Sequence, residues 1–364
     1  MLSHLTRGVC LAVVTGAMAF ASSTPAKAEA DFSGKTIEWI IPFKEGGGSD
    51  KWSRFYAPLL SEALPGKPAV VIKNMPGAGS TKGANYFQTR AKADGLTIFG
   101  TSGSTQFPYL LGDRRVRYEY KDWNVVLATP TGGVFYVNKS LGVKSVDDIE
   151  ALLGKELLYG SQGATSLDLV PLLAFELLGM KVEPIFGMKG RGAGRLAFER
   201  GEVNIDYQTT SSFLSKVTPL VKEGTAIPLW TWGALDASGK IVRDPTFPDL
   251  PSFKEVYIKV KGKEPSGPAW EAWRAFFTAG FPAQKMVFLP KGTDPKVIAA
   301  YAGAFKAVTE RPDFAEKSKK RLGVYPQLTG TAAEAKKAQA INVPPEAKAW
   351  VQTWLKDRFG VSLK

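Results

Sequence analysis

Apolar residues along the chain follow two spacings that predict alternating strands and helices. An apolar run from Ile37 to Ile41 stops at Pro42 and is followed by three successive glycines. From Trp52 onward, apolar side chains recur three and four positions apart, the spacing of a helix with one buried face. This stretch therefore predicts a strand, a glycine turn, and a helix that packs on the sheet containing the strand.

The same order of elements repeats along the chain. Strands near residues 69–73 and 96–100, with a helix between them, complete the β-α-β-α-β pattern of a parallel sheet covered by helices. A second set of strands, the last of them at 227–232, predicts another unit of this kind between about residues 130 and 240. After residue 240 the spacing predicts helices only.

Loops rich in glycine and hydroxyl side chains follow several of the predicted strands. Open α/β sheets bind ligands outside the carboxyl ends of their strands, and a helix that begins there offers unpaired N–H groups and partial positive charge to an anion. An ordinary loop without ligand, or helix capping by each hydroxyl, is the alternative interpretation. If the two units face each other, these loops line a cleft. We predict Gly47, Gly48 and Ser49 as anion donors. Ser102 and Ser104 should line the wall on the same side, and Ser161, Thr165 and Ser166 the opposing wall.

The N-terminal segment, residues 1–28, is predicted to be a secretory signal peptide. His4 and Arg7 precede an uncharged apolar run from Val9 to Ala21, and Ala26-Lys27-Ala28 supplies a small-residue cleavage pattern. The apolar run is short for a membrane span, and no later stretch approaches 18 consecutive apolar residues. We predict cleavage after Ala28 and a periplasmic mature protein, with an uncleaved anchor as the alternative.

Composition narrows the chemistry open to the mature chain. The single cysteine and the single histidine, Cys10 and His4, both lie in the predicted signal peptide. Their removal excludes disulfides, zinc sites built from these ligands, and Ser-His or Cys-His catalysis. A secreted hydrolase with a carboxylate pair is the enzymatic alternative, but Asp50 and Asp168 lie at predicted helix starts, where capping explains them. We predict no catalytic residue and no enzymatic activity.

Neither nucleotides nor nucleic acids are predicted ligands. The net charge of +13 favours anions over long range, but basic residues are spread along the chain rather than clustered among aromatics. The one dense run, Lys317 to Arg321, falls on a predicted solvated helix face. Gly77, Gly79 and Gly83 have the spacing G-x-G-x-x-x-G, which is not the dinucleotide fingerprint. No cofactor and no metal are predicted.

Five motifs occur in an order that resembles the periplasmic solute receptors of tripartite tricarboxylate transporters, often called Bug receptors. The similarity extends over nearly the whole mature chain, which makes it more specific than any single motif. The motifs are Pro42-Phe43-Lys44-Glu45-Gly46-Gly47-Gly48-Ser49-Asp50, Asn74-Met75-Pro76-Gly77-Ala78-Gly79, Gly160-Ser161-Gln162-Gly163, Lys189-Gly190 and Asp249-Leu250-Pro251-Ser252.

The resemblance implies an α/β fold of the periplasmic-binding-protein class, a two-lobed Venus flytrap with mixed sheets flanked by helices and a ligand cleft between the lobes. Residues 29–129 would form the first part of lobe 1, residues 130–240 lobe 2, and residues 241–364 the second part of lobe 1 with the C-terminal helices. Such a receptor, a monomer, would capture a small carboxylate and present it to a two-subunit integral membrane permease. A sensor or adaptor of the same fold is the alternative.

The resemblance also implies where the ligand lies. Its carboxylates would be held mostly by backbone N–H groups, hydroxyls and bridging water at the loops after Pro42 and Gly160. The family commonly has an acid at the position of Gln208, so its absence favours a dicarboxylate or aromatic carboxylate over a cationic amino acid. The predicted ligand-binding residues are Pro42, Phe43, Gly46, Gly47, Gly48, Ser49, Asp50, Gly77, Ala78, Ser102, Gly103, Ser104, Thr105, Ser161, Gln162, Ala164, Thr165, Ser166, Lys189 and Gln208.

Overall fold

The structure is a computed structural model that describes residues 30–363. The predicted signal peptide and its cleavage after Ala28 lie outside the described residues. None of the helices within residues 30–363 combines the length and the apolar character needed to cross a membrane.

Strands and helices alternate along most of the described chain, as the apolar spacing predicts. The strands are β1 (Thr36–Ile41), β2 (Ala69–Asn74), β3 (Thr97–Gly100), β4 (Asn124–Thr129), β5 (Gly133–Asn138), β6 (Leu157–Gly160), β7 (Val182–Ile185), β8 (Ile205–Thr209), β9 (Ala226–Thr231), β10 (Ala234–Leu235), β11 (Ile241–Val242) and β12 (Lys285–Leu289). The α-helices are α1 (Gly48–Ala63), α2 (Thr81–Arg90), α3 (Gly103–Leu111), α4 (Glu150–Leu153), α5 (Leu169–Leu178), α6 (Arg191–Glu199), α7 (Thr210–Ser212), α8 (Thr218–Lys222), α9 (Phe253–Lys261), α10 (Pro268–Gly280), α11 (Pro295–Thr309), α12 (Phe314–Leu322), α13 (Gly330–Ile341) and α14 (Pro345–Phe359).

The strands form two five-stranded sheets and one small hairpin. The first sheet has the order β2-β1-β3-β12-β4 and the second β7-β6-β8-β5-β9, while β10 pairs only with β11. Strand β1 is parallel to β2 and β3, and β12 is antiparallel to both of its neighbours. In the second sheet β6 is parallel to β7 and β8, whereas β5 is antiparallel to β8 and β9. Two mixed sheets flanked by helices confirm the predicted fold class.

The apolar core covers both sheets. Trp39 and Trp52 belong to a cluster on one face of the first sheet, and Phe99 and Trp123 to a cluster on the other. The largest cluster covers the second sheet and includes side chains from α9, α10 and α14, such as Trp273 of α10. The residue limits assigned to the two lobes stay a prediction.

Strand β12 corrects the prediction that the chain after residue 240 is only helical. Five buried residues, Lys285 to Leu289, insert between β3 and β4 of the first sheet. Because β12 is antiparallel to β3, its first residue lies at the edge where the parallel strands end. The chain therefore places Lys285 among the loops that the sequence predicts to bind ligand.

Two connections between the sheets run side by side. Residues 130–132 join β4 to β5, and residues 281–284 join α10 to β12. The backbone N–H of Thr131 donates a hydrogen bond to the carbonyl of Phe281 at 3.1 Å. We call this pair of connections the crossing.

A buried carboxylate lies close to the crossing. The hydroxyl of Tyr325 donates to Asp244, with 2.8 and 2.7 Å to the two carboxylate oxygens, and lies 2.7 Å from Thr210 Oγ1. The N–H of Thr246 donates to the same carboxylate at 2.8 Å. Burial raises the pKa of Asp244 to about 6, against an ordinary value of 3.8. This carboxylate therefore holds its proton more strongly in the folded protein than in the unfolded chain.

The substitution Asp244→Asn is expected to remove a pH-dependent loss of stability. In the wild type, the contribution of Asp244 to the free energy of unfolding falls as the pH rises from about 4 to about 6, because the folded state must then bury a charge. One pH unit of pKa change corresponds to about 1.4 kcal/mol, so the full loss is on the order of 3 kcal/mol. Urea unfolding of both proteins from pH 4 to 8 measures it. A difference between them that does not change with pH contradicts the assignment.

Candidate functional site

A small cavity lies between the loop edges of the two sheets. Its volume is about 30 Å³, enough for one or two water molecules. The cavity is bounded by the β1–α1 loop, the starts of α3, α6 and β12, the end of β8 and the loop after β6. The lining residues are Phe43, Lys44, Glu45, Gly47, Gly48, Ser49, Ser102, Ser104, Gln162, Leu167, Gly190, Arg191, Gly192, Thr209, Gln284 and Lys285.

The two lobes are in contact around this cavity. The N–H of Lys44 donates to the carbonyl of Lys189 at 3.4 Å, and Ser211 Oγ donates to the carbonyl of Gly48 at 3.1 Å. A Cβ atom at Gly48 would lie 2.1 Å from Thr209 Oγ1 on the other lobe. The structure is thus a closed arrangement in which glycine at position 48 permits the close approach of the lobes.

The β1–α1 loop presents backbone amides to the cavity. Gly47 precedes α1 with extended backbone (φ −79°, ψ 172°), and no side chain caps the first turn. The first N–H groups of a helix have no acceptor within the helix, so those of Gly48 and Ser49 are open to a ligand. Asp50 is used otherwise, since its carboxylate accepts from Gly46 N at 2.9 Å and Arg54 Nε at 2.9 Å. These bonds hold the loop in place.

The start of α3 forms the wall of the first lobe. Ser102 caps the helix by accepting from Ser104 N at 3.2 Å. Ser104 Oγ accepts from Leu167 N of the second lobe at 3.1 Å, and its carbonyl accepts from Ser80 Oγ at 2.9 Å. The two hydroxyls predicted at this wall do line the cavity, and they also fix the backbone there.

Arg191 organises the second-lobe side of the site. Its Nη1 donates to the carbonyl of Gly160 at 2.7 Å and to Asp168 at 3.2 Å, while Nη2 pairs with Asp206 and bonds the carbonyl of Tyr207 at 3.2 Å. All of these groups are buried. Burial by itself lowers the pKa of Arg191, but Asp168 and the nearby tyrosines raise this pKa above its ordinary value. Since the guanidinium is matched by carboxylates, what α6 offers the cavity is mainly its open N-terminus.

Gln284 and Lys285 are cavity residues that the sequence prediction misses. Both are buried, with exposed fractions of 0% and 2%. Lys285 Nζ donates to Ser49 Oγ at 3.3 Å, and burial lowers its pKa to about 7. The available signal is weak: two polar residues directly precede the short apolar run 286–289. The other lining residues absent from the prediction are Lys44, Glu45, Leu167, Gly190, Arg191, Gly192 and Thr209.

The predicted ligand-binding residues fall into two groups, and that they bind ligand stays a prediction. Those that line the cavity are Phe43, Gly47, Gly48, Ser49, Ser102, Ser104 and Gln162. Those outside its lining are Pro42, Gly46, Asp50, Gly77, Ala78, Gly103, Thr105, Ser161, Ala164, Thr165, Ser166, Lys189 and Gln208.

Gln208 has protein partners for both ends of its amide. Its Nε2 donates to the carbonyl of Arg191 and to Asp206, each at 2.8 Å, and its Oε1 accepts from Ser212 Oγ at 2.9 Å. The side chain is fully buried. In this closed arrangement Gln208 therefore holds the first residue of α6 in place through its hydrogen bond to the carbonyl of Arg191.

The capping interpretation of Asp168 is wrong. Helix α5 begins at Leu169, and the Asp168 side chain makes no capping bond to it. The carboxylate instead accepts from Ser161 Oγ at 2.9 Å, from Tyr207 Oη at 3.1 Å and from Arg191. Its role in the structure is to tie the loop after β6 to α6. Within residues 30–363 there is no group of three or more His, Cys, Asp or Glu side chains placed to hold a metal ion.

Curated relatives match this chain over most of its length. A protein encoded in the gbd 5′ region of Cupriavidus necator is 29% identical over 326 residues, which is 86% of each chain. The protein BugT of Bordetella pertussis is 25% identical over 296 residues, which is 79% of this chain and 81% of that one.

Solved structures share the fold. A Rhodopseudomonas palustris protein with adipate has a TM-score of 0.67 at 20% identity, covering 91% of this chain and 99% of the other. MatC from Rhodopseudomonas palustris with bound malate has a TM-score of 0.60 at 19% identity, covering 88% and 97%. The family model described as tripartite tricarboxylate transporter family receptor matches residues 54–339, well over half of the chain. Because this family model matches most of the chain, the chain belongs to the tripartite tricarboxylate transporter receptor family.

Proposed function

We propose that this protein is an extracytoplasmic receptor that captures a small carboxylate, a dicarboxylate or an aromatic carboxylate, and delivers it to the permease of a tripartite tricarboxylate transporter. The observation that carries the proposal is the convergence of the open N-termini of α1 and α6 and the ammonium of Lys285 on one cavity between the lobes. Its family is one of receptors rather than of enzymes.

The electrostatics of the cavity favour an anion. Amides at the starts of α1 and α6 face it from opposite lobes, and each helix start carries partial positive charge. Lys285 adds a cation within the first lobe. Of the cavity-lining residues only Glu45 is acidic, and it is exposed. A carboxylate between Ser49 and Gly192 would touch both lobes and so stabilise their closed arrangement.

The related structures support the same class of ligand. Two proteins of this fold were solved with malate and with adipate, both dicarboxylates. In this closed arrangement the lobes are in contact around the cavity, so we expect a ligand of this class to enter when the lobes move apart. The proposal also includes export to the periplasm by the predicted signal peptide, action as a monomer, and a two-subunit permease as the partner.

Carboxylates are expected to raise the melting temperature of the purified mature protein, and cationic amino acids are not. Only the folded state binds ligand, so stability should increase with ligand concentration, by about 2.7 kcal/mol at one hundred times Kd. The measurement is a thermal-shift series with malate, succinate, adipate and benzoate, and with arginine and lysine as the comparison set. Stabilisation by arginine or lysine with none by any carboxylate would refute the proposed ligand class.

A further inference from the structure

Two buried polar side chains at the start of β12 lack the partners that buried polar groups normally have. Neither Oε1 nor Nε2 of Gln284 has a hydrogen-bond partner among residues 30–363. The only hydrogen bond of Lys285 Nζ within residues 30–363 is the one to Ser49 Oγ at 3.3 Å, and no carboxylate of this part of the chain lies within 4.0 Å of it. Both residues line the cavity.

Such a pair is costly to the fold. A buried ammonium without a paired anion and a buried amide without partners both destabilise the folded state. Buried polar groups are almost always satisfied in native proteins, and those that are not are frequently the functional ones. The open hydrogen-bonding capacity at this position therefore points to a ligand that supplies the missing partners.

The charged groups around Lys285 do not neutralise it. On α1, Asp50 already accepts three hydrogen bonds from other groups. On the β1–α1 loop, Lys44 and Glu45 are exposed at the mouth of the cavity. On α6, Arg191 is a cation and is paired with its own carboxylates. No carboxylate within residues 30–363 pairs with Lys285, which leaves that place to a bound anion.

We propose that Lys285 and Gln284 are a specificity-determining pair that binds a carboxylate bearing a hydroxyl on the adjacent carbon. The ammonium pairs with the ligand carboxylate, and Gln284 Nε2 donates to the same group. Gln284 Oε1 needs a donor, and a hydroxyl supplies one without placing a second cation beside Lys285. This inference rests on the proposed function and names the ligand class as 2-hydroxycarboxylates.

The pair couples binding to pH. Burial holds the pKa of Lys285 near 7 in this structure, and a bound carboxylate favours the charged amine and raises that pKa. Binding above pH 7 then takes up one proton. The affinity for a 2-hydroxycarboxylate should fall as the pH rises above about 7, by up to about tenfold per pH unit.

The test is calorimetric titration of malate and succinate, which differ by one hydroxyl, from pH 6 to 9. The wild type should bind malate at least about tenfold more tightly than succinate. Lys285→Met should weaken both ligands at least about tenfold at pH 7 and lose the pH dependence, while its unliganded form melts higher than the wild type. Gln284→Leu should bind malate and succinate equally. The control is Lys291→Met, just past the end of β12, whose exposed ammonium pairs with Asp122.

The outcomes separate this inference from the proposed function. Wild-type protein that binds no carboxylate of the thermal-shift series overturns both. Carboxylate binding that Lys285→Met leaves unchanged overturns the assignment of Lys285 alone. Equal affinities of the wild type for malate and succinate overturn the part played by Gln284.

Discussion

Replacing Arg191 with methionine is expected to lower the free energy of unfolding by about 3–5 kcal/mol, the usual cost of breaking a buried ion pair. Asp168 and Asp206 are both fully buried and both pair with this guanidinium. Without it two carboxylates remain in the interior uncompensated, and the carbonyls of Gly160 and Tyr207 lose their donor. Urea unfolding at pH 7 measures the loss.

Two further variants make this result interpretable. Arg200→Met, just past the end of α6, removes an exposed pair with Glu202 and should leave the urea concentration at the unfolding midpoint nearly unchanged. Arg191→Lys should fall between Arg191→Met and the wild type, because an ammonium keeps the charge but lacks the planar fork that reaches several acceptors. If Arg191→Met unfolds at the same urea concentration as the wild type, the ion-pair network is not what holds the second-lobe loops.

Gly48→Ala is expected to weaken carboxylate binding by about tenfold to a hundredfold, since affinity scales with the fraction of protein that can close. The added Cβ would lie 2.1 Å from Thr209 Oγ1 and 3.4 Å from Ser211 Oγ, both on the opposite lobe. Each lobe can fold around the alanine, so the melting temperature of the unliganded protein should change little. Calorimetric titration gives the affinity, and small-angle scattering with saturating ligand shows whether the lobes close.

The neighbouring glycine provides the matched control. A Cβ at Gly47 would meet its nearest atoms at 3.8 and 3.9 Å, which are ordinary contacts, so small-angle scattering should show Gly47→Ala closing as far as the wild type. Thr209→Ala removes the overlapping hydroxyl. Adding Gly48→Ala to the Thr209→Ala protein should therefore reduce the affinity less than adding it to the wild type. Wild-type binding by Gly48→Ala would show that close approach at this position is unnecessary.

The first strand, the glycine loop and the first helix could be predicted because the residues that indicate them are adjacent in sequence. A strand, three glycines and an amphipathic helix follow each other within residues 36–64, and the structure contains β1, the loop and α1 there. Gly47, Gly48 and Ser49 reach the cavity because a helix that follows a parallel strand begins at the carboxyl end of that strand, the edge where such sheets bind ligands. Backbone geometry of this kind is determined by neighbours in sequence.

Strand β12 and its polar pair could not be predicted in the same way. Five residues from Lys285 to Leu289 are too few for their spacing to separate a buried strand from a piece of helix. The partners of this strand, β3 and β4, lie more than 150 residues earlier in the chain. Its position in the sheet is therefore determined by contacts with residues that are distant in sequence.

Asp168 is a second case in which tertiary contacts decide the role of a side chain. A carboxylate before a predicted helix is normally explained as a cap. Here Arg191, 23 residues further along the chain, provides a buried partner of opposite charge, which a buried carboxylate needs. Local propensity could not indicate this partner.

The crossing has a mechanical consequence for the proposed delivery of ligand to a permease. Gln284 belongs to the connection of the crossing that joins α10 to β12. In the same connection, Phe281 accepts a hydrogen bond from Thr131 of the other connection. If the proposed receptor opens by rotation about the crossing, a ligand at Gln284 and Lys285 would lie at the pivot, where rotation moves atoms least. Such a rotation would move the far rims of both lobes most, so the proposed permease would detect occupancy there without touching the solute.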